Sequence, residues 1–188
     1  MSSRRDDLLD SAEDVFCRLG YARTTIGELA SAAGVTRPTI YAYFPSKDDV
    51  FRALADRVRL EFLALQEKAD TSSPERTVRE ALTAFLAAYT RHYGVLTVIA
   101  HQALADPAMR SLRDEMFARV ERRNARFLER LVAAGLADPA IPGADLARAV
   151  TGLTARSAER AFESPSELPT LGEQLVRCYL RLAGIADG

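Results

Sequence analysis

The sequence predicts an all-α fold: an N-terminal three-helix domain with a helix-turn-helix, then a second helical domain, with about nine helices in total. Apolar residues make up 48% of the chain and aromatic residues only 7%. Alanine and leucine dominate, and both favour helices, whereas the alternating β-branched runs that indicate strands are nearly absent. Apolar residues instead recur at spacings of three and four, as they do along one face of a helix.

The first helix is predicted from about Asp6 to Leu19, because its apolar residues form one stripe and Gly20 follows as a stop signal. The residues of this stripe are Leu8, Ala12, Val15, Phe16 and Leu19.

Residues 24–47 predict two short helices joined by a tight turn. Thr25 is expected to cap the second helix, with Glu28 three residues later completing a capping box. Gly34 permits the left-handed backbone that the turn requires. Thr36 caps the third helix and Pro38 occupies its first turn, where a missing N–H costs little. A short helix presented in this way fits the major groove of B-DNA.

The remaining helices are separated by glycine- and proline-containing breaks. Ser46 is expected to cap helix 4, about residues 46–69, and the segment 70–74 is the best internal boundary. We therefore predict a helix-turn-helix DNA-binding domain at 1–48 and a second domain at 49–188, with helix 4 linking them. Further breaks are expected at Gly94, Gly135, 138–143 and 163–169.

Charge and composition limit the classes of function. The net charge is −1, and residues 1–60 contain nine basic and nine acidic side chains, so we expect modest nonspecific affinity for DNA. No apolar run reaches the ~20 residues of a membrane span, and the N-terminus lacks a secretion signal. Cys17 and Cys178 match no metal spacing. The expectation is a cytoplasmic protein without a metal or cofactor.

The helix-turn-helix segment resembles the TetR family of bacterial transcriptional regulators over roughly residues 8 to 51. The resemblance rests on Thr24-Thr25, Ala30-x-x-x-Gly34-Val35, Thr39-Ile40-Tyr41-x-Tyr43-Phe44 and Lys47. It implies an all-α homodimer whose divergent C-terminal domain binds a small ligand and pairs through its last two helices.

Seven positions resemble the DNA-contacting set of that family: Thr25, Thr36, Arg37, Thr39, Tyr41, Tyr43 and Lys47. Pro38 joins them as a candidate from its residue type. Arg37 is the best candidate for a base contact, because a guanidinium can bind O6 and N7 of guanine together. The alternative is that Arg37 reaches only a phosphate. Pro38 and Thr39 are suited to touching a thymine methyl group.

The other members of the set are better suited to phosphates, which fix register without reading sequence. Tyr41, Tyr43, Lys47 and the hydroxyl of Thr25 fall in this group. Each has a structural alternative: Thr25 and Thr36 as helix caps only, Tyr43 packed sideways into the domain, and Lys47 as a solvated residue at the start of a helix.

A ligand site is expected where polar or aromatic residues interrupt the apolar stripes of the second domain. Asn124, for example, lies on the apolar face of helix 7. The candidate residues are Phe85, Tyr89, Tyr93, Thr97, His101, Met116, Phe117 and Asn124. Such a lining favours a largely apolar effector. The alternative is that these are satisfied core groups or residues at helix ends.

Helices 8 and 9, about residues 144–162 and 168–184, are the expected homodimer interface, since Ala147, Gly152 and Ala155 permit close packing. The function predicted is a ligand-responsive transcriptional regulator, a repressor that binds a palindromic DNA operator and that a small molecule releases. Alternatives are a DNA-binding protein without ligand sensing and an enzyme. No nucleophile or carboxylate lies at a helical spacing from His92 or His101, so no catalytic residue is predicted.

Overall fold

The computed structural model describes residues 3–67 and 73–185, except the side chains of residues 66 and 67, and these ranges contain nine α-helices and no strand. The predicted all-α class and helix number are confirmed. A short 3₁₀ helix at Pro165–Glu167 precedes the last helix. The helices are α1 (Arg4–Arg23), α2 (Ile26–Ala32), α3 (Arg37–Tyr43), α4 (Lys47–Glu67), α5 (Pro74–Arg91), α6 (Tyr93–Gln102), α7 (Pro107–Ala133), α8 (Gly143–Glu163) and α9 (Leu168–Ala183).

Two predicted positions concern residues outside the described ranges. The end of helix 4 near residue 69 and most of the boundary at 70–74 fall there. None of the described helices is long and apolar enough to span a bilayer.

Helix α1 is longer than predicted at both ends. It begins with a capping box in which the Ser3 hydroxyl accepts the Asp6 N–H and the Asp6 carboxylate accepts the Ser3 N–H. At Gly20 the backbone leaves the helical region with φ of 72°, so the expected stop is a kink, and one more turn follows it. After this kink the chain continues through Tyr21 to the start of α2.

The helix-turn-helix forms as the sequence predicts. The Thr25 hydroxyl accepts the Glu28 N–H at 3.2 Å, and the Glu28 carboxylate accepts the Thr25 N–H at 2.8 Å. Thr36 caps α3. Gly34, between the two helices, has φ of 63°. Only glycine adopts that conformation without strain, and the N–H of Val35 can then reach back to an α2 carbonyl, that of Ala30, at 2.9 Å.

The break before α6 differs from the prediction. The chain turns at His92, and Gly94 is the second residue of α6 rather than the separator. A Cβ at Gly94 would lie 2.5 Å from the Cys17 sulfur of α1. Gly94 therefore allows α6 to pack closely on α1. In the sequence, a glycine with this role cannot be distinguished from one that ends a helix.

The contacts divide the chain into two compact units. The first comprises the described residues of Met1–Arg59 together with Gly94–Met116, and the second those of Leu60–Tyr93 and Phe117–Gly188. Helix α4 has residues in both units. The functional domain boundary at residue 48 stays a prediction.

Within the second unit, α5 packs against α8 and α9 around a core that includes Leu86, Leu146, Val176 and Tyr179. Thr154 of α8 is fully buried, and its hydroxyl donates to the Val150 carbonyl at 2.8 Å, so no polar group of this side chain is left without a partner.

An ion cluster joins α4 to the end of α5 in the second unit. Glu61 accepts a hydrogen bond from Arg91 and lies 2.9 Å from Nε2 of the buried His92. Burial alone would raise the pKa of Glu61. The hydrogen bond and charge of His92 and then those of Arg91 outweigh burial, and the pKa falls below its ordinary value of 4.5.

This lowered pKa predicts how stability depends on pH. Because ionised Glu61 favours the folded state, its stabilisation is complete above pH 4.5 and is lost as the pH falls through the folded pKa. Glu61→Gln should lower the free energy of unfolding at pH 7 by about 1 kcal/mol, given a partly exposed pair. Urea denaturation should show the difference in unfolding free energy between wild type and variant narrowing as the pH falls below 4.5.

The matched control is Glu129→Gln, which removes an exposed carboxylate from α7 of the same unit. It should leave stability nearly unchanged across this pH range. A Glu61→Gln gap of constant size from pH 7 to pH 3 would contradict the role given to the ionised carboxylate.

Candidate nucleic-acid interface

Helix α3 exposes most of its surface. Ile40 is the only residue of this helix that is buried, and Phe44, which follows it, is buried too. Tyr41 and Tyr43 remain 53% and 43% exposed. An apolar anchor on one side and exposed polar and aromatic groups on the other are what a helix that enters a DNA groove requires.

The hydroxyls of the three threonines at this site are already engaged. Thr25 Oγ1 donates to Glu28 at 2.9 Å, and Thr36 Oγ1 lies 2.9 Å from Thr39 Oγ1. Both Thr25 and Thr36 cap their helices, so the structural role proposed as an alternative is present. A hydroxyl also has two acceptor lone pairs and rotates, so the capping role and a DNA contact are compatible.

Arg37, the first residue of α3, lies across α2. Its guanidinium is so close to Gly27 that a Cβ there would meet an Nη atom at 2.7 Å. Gly27 therefore leaves room for this side chain. Arg37 itself is exposed, and its flexible aliphatic chain allows the guanidinium to reach the edge of a base. Gly27 carries no sequence signal that would have indicated this contact.

Lys47 is more constrained than a solvated helix-start residue. Its Nζ donates to the Tyr21 carbonyl at 3.0 Å and lies 4.3 Å from the centroid of the Tyr21 ring. The Tyr21 hydroxyl in turn donates to Asp48. Tyr21 was not among the predicted site residues. Its position directly after the Gly20 kink was the signal that could have indicated it.

Part of the acidic charge of α1 is neutralised inside the first unit. Arg57 of α4 binds Glu13 at 2.9 Å and Asp10 at 2.5 Å. Such pairing reduces the repulsion that α1 would exert on a polyanion, which matters because the cations and anions of residues 1–60 are equal in number.

Three of the predicted ligand-site residues, Phe85, Tyr89 and Phe117, meet in an aromatic cluster with Phe62 of α4. The ring centroids of Phe62 and Phe85 are 4.9 Å apart. Burial, and then the nearby Tyr93, raise the pKa of Tyr89 to about 12.

The side-chain oxygen of the half-buried Asn124 accepts a hydrogen bond from the Tyr179 hydroxyl at 2.8 Å. Asn124 also lines a small cavity between α5, α7 and α8, of about 40 Å³. Phe85 is the other predicted residue in that lining. The sequence did not predict the other residues of this lining, because apolar helix positions such as Leu82, Val120 and Val150 look like core positions. The lining residues are Ala81, Leu82, Phe85, Val120, Glu121, Asn124, Ala147, Val150 and Thr151.

The other four predicted ligand residues lie elsewhere. The ring of Tyr93 packs against Phe162 of α8 at 5.2 Å between centroids. Thr97 and His101 are exposed on α6, and Met116 is fully buried in the first unit.

Known proteins resemble this chain in sequence and in fold. The HTH-type transcriptional repressor ComR of Escherichia coli (strain K12) is 37% identical over 84 residues, 45% of this chain and 40% of that protein. The chain thus spans less than half the length of this curated relative. A tetR-family regulatory protein from Rhodococcus RHA1 superposes with a TM-score of 0.83 over 100% of both chains, at 20% identity. A TetR-like transcriptional regulator from Rhodococcus sp. RHA1 is 27% identical, with a TM-score of 0.75 over 95% of this chain and 94% of that one.

The capped helices, the turn at Gly34 and the exposed α3 define a helix-turn-helix protein. Residues 8–54 match the model of the bacterial regulatory proteins of the tetR family. This match covers the helix-turn-helix segment, and the resemblance to the TetR family that was inferred from the sequence is confirmed.

The site predicts a distinct effect for Arg37→Ala. A bidentate contact to guanine lost from α3 should cost about 1–3 kcal/mol in binding free energy and relax discrimination at one base position. Affinities measured on a bound duplex and on its single-base variants should show the loss concentrated at that position.

Arg18→Ala is the control, because it removes an exposed cation from α1. It should change affinity little and equally on every duplex. If Arg37→Ala also weakened all duplexes equally, Arg37 would be a phosphate contact and not a base contact.

Proposed function

We propose that this protein is a DNA-binding transcriptional regulator, a repressor that binds a palindromic operator as a homodimer. The observation that carries the proposal is the polar, exposed surface of α3, which follows the Gly34 turn and is anchored in the core by Ile40 and the adjoining Phe44. The name of the E. coli relative is that of a transcriptional repressor. The relatives bear names of regulators and not of enzymes, which supports the prediction of no catalytic activity. A protein that binds the bacterial chromosome acts in the cytoplasm.

Within this proposal, Arg37 reads a base, Pro38 and Thr39 contact a thymine methyl group, and the remaining members of the set bind phosphates. Tyr41 and Tyr43 are exposed enough to do so. Hydrogen bonds from hydroxyls and ammonium groups to phosphates fix the register of α3 in the groove.

The apolar surface that α8 leaves exposed supports a homodimer. Leu153 is 40% and Phe162 55% exposed, and a Cβ added at Gly152 would meet nothing within 4 Å. Leu171 and Leu175 of α9 are buried within the protomer. The area available to a partner is therefore mainly that of α8, where Gly152 allows a second helix to approach closely.

Selection of bound sequences from a random DNA pool tests this function. The wild-type protein should enrich a palindrome with half-sites about 34–36 Å apart, one helical turn or a multiple of it. Light scattering should give twice the 20.6 kDa chain mass. Preference for the selected duplex over a scrambled one should reach at least about 10³. Equal binding to both would contradict sequence-specific regulation.

We further propose that a small, largely apolar effector enters the second unit beside the cavity of α5, α7 and α8 and releases the protein from DNA. The aromatic cluster and the apolar lining of the cavity support this class of ligand. The cavity of about 40 Å³ is far smaller than the roughly 300–1,000 Å³ of typical ligand sites. The effector must therefore select a more open arrangement of these helices, and that selection is how it shifts the equilibrium.

Ala81→Leu tests the location of the effector by filling the cavity from α5. We would screen apolar compounds for release of the wild type from its selected duplex, and then measure the half-releasing concentration. Ala81→Leu should raise it about tenfold or more, a loss of about 1.4 kcal/mol in binding, with unchanged DNA affinity.

Ala133→Leu, which adds the same side chain at an exposed position of α7, should leave the releasing concentration unchanged. If the Ala81→Leu variant were released from DNA at the same compound concentration as the wild type, the effector would bind elsewhere. If no apolar compound released the wild type, the alternative without ligand sensing would be favoured, and release only by a highly charged metabolite would contradict the apolar class.

A further inference from the structure

Tyr21 contacts both charged residues at the start of α4. Its carbonyl accepts the Lys47 ammonium at 3.0 Å, and the same ammonium lies 4.3 Å from its ring centroid. Its hydroxyl donates to the Asp48 carboxylate. Two adjacent residues of opposite charge are thus held by different parts of one tyrosine.

The ring that makes these contacts is fixed by the core of the first unit. Phe51 meets it edge-on at 5.0 Å between centroids, and Phe16 stacks at 6.1 Å. Both phenylalanines are fully buried. The kink at Gly20 places Tyr21 in this cluster. The ring is therefore held in position and does not move with the side chains of Lys47 or Asp48.

We propose that Tyr21 is a positioning residue for DNA binding, which holds the Lys47 ammonium at the start of α4 and binds the Asp48 carboxylate so that it does not pair with that ammonium. This inference rests on the proposed contact of Lys47 with a DNA phosphate. Tyr21 acts through Lys47 and itself has no assigned contact to DNA.

The chemistry of each group is consistent with this role. An ammonium has three donors, so the one used by the Tyr21 carbonyl leaves two for phosphate oxygens. Burial, and then the hydrogen bond and charge of Asp48, raise the pKa of Tyr21 above its ordinary value of 10.0. The phenol therefore stays protonated and remains a donor at neutral pH.

Loss of the hydroxyl would free the carboxylate. Asp48 adjoins Lys47 in sequence, and an unbound carboxylate there would attract the ammonium away from a phosphate. Tyr21→Phe isolates this effect, because it removes the hydroxyl and keeps the ring, the carbonyl and the aromatic packing.

Double-mutant cycles test the proposal on the duplex that the wild type selects. Tyr21→Phe alone should weaken binding about five- to tenfold, the scale of one typical hydrogen bond. The same substitution should cost less than about twofold in an Asp48→Asn background, where there is no carboxylate to release, and in a Lys47→Met background, where there is no ammonium to disturb. Thermal melts would confirm that each variant folds.

A general structural role gives a different result. If Tyr21→Phe weakened binding by the same factor in all three backgrounds, or did not weaken the wild type at all, Tyr21 would not act through Lys47 and Asp48. If the wild-type protein showed no preference for any duplex, the proposed function would be overturned. That result differs from equal effects of Tyr21→Phe in all three backgrounds, which would overturn only the role of Tyr21.

Discussion

The turn at Gly34 is the constraint on which the candidate interface depends. A φ of 63° at this residue reverses the chain within two residues, and the caps at Thr25 and Thr36 begin the helices on either side. Helices of seven residues are too short to be stable alone. They persist because Leu29, Ala30 and Ile40 are buried, while the rest of α3 stays available for a partner.

The second constraint is the placement of charge in a domain without a basic excess. Arg57 engages two acids of α1, and Tyr21 separates Lys47 from Asp48. A protein with few cations to spare must offset some of its acids and keep the cations that contact a polyanion free of carboxylates. The fold does this with specific contacts and not with net charge.

The sequence predicted what local chemistry determines. The caps at Thr25 and Thr36, the left-handed Gly34 and the apolar anchor Ile40 follow from residue type and spacing within a few residues. Contacts between distant segments did not follow. The packing of Gly94 on Cys17, the Arg37 side chain over Gly27, and the Tyr21 contacts join residues up to 77 positions apart, and no periodicity encodes such pairs. The same holds for the cavity, whose lining residues look like ordinary core positions.

Hydrogen–deuterium exchange of the protein with and without its selected duplex tests the central claim most directly, because it reports which backbone segments a partner protects. The account predicts that protection is concentrated in residues 36–47, which contain α3 and the start of α4. Protection concentrated in α7 or α8, with exchange in residues 36–47 unchanged, would contradict the assignment of α3 as the helix that binds DNA.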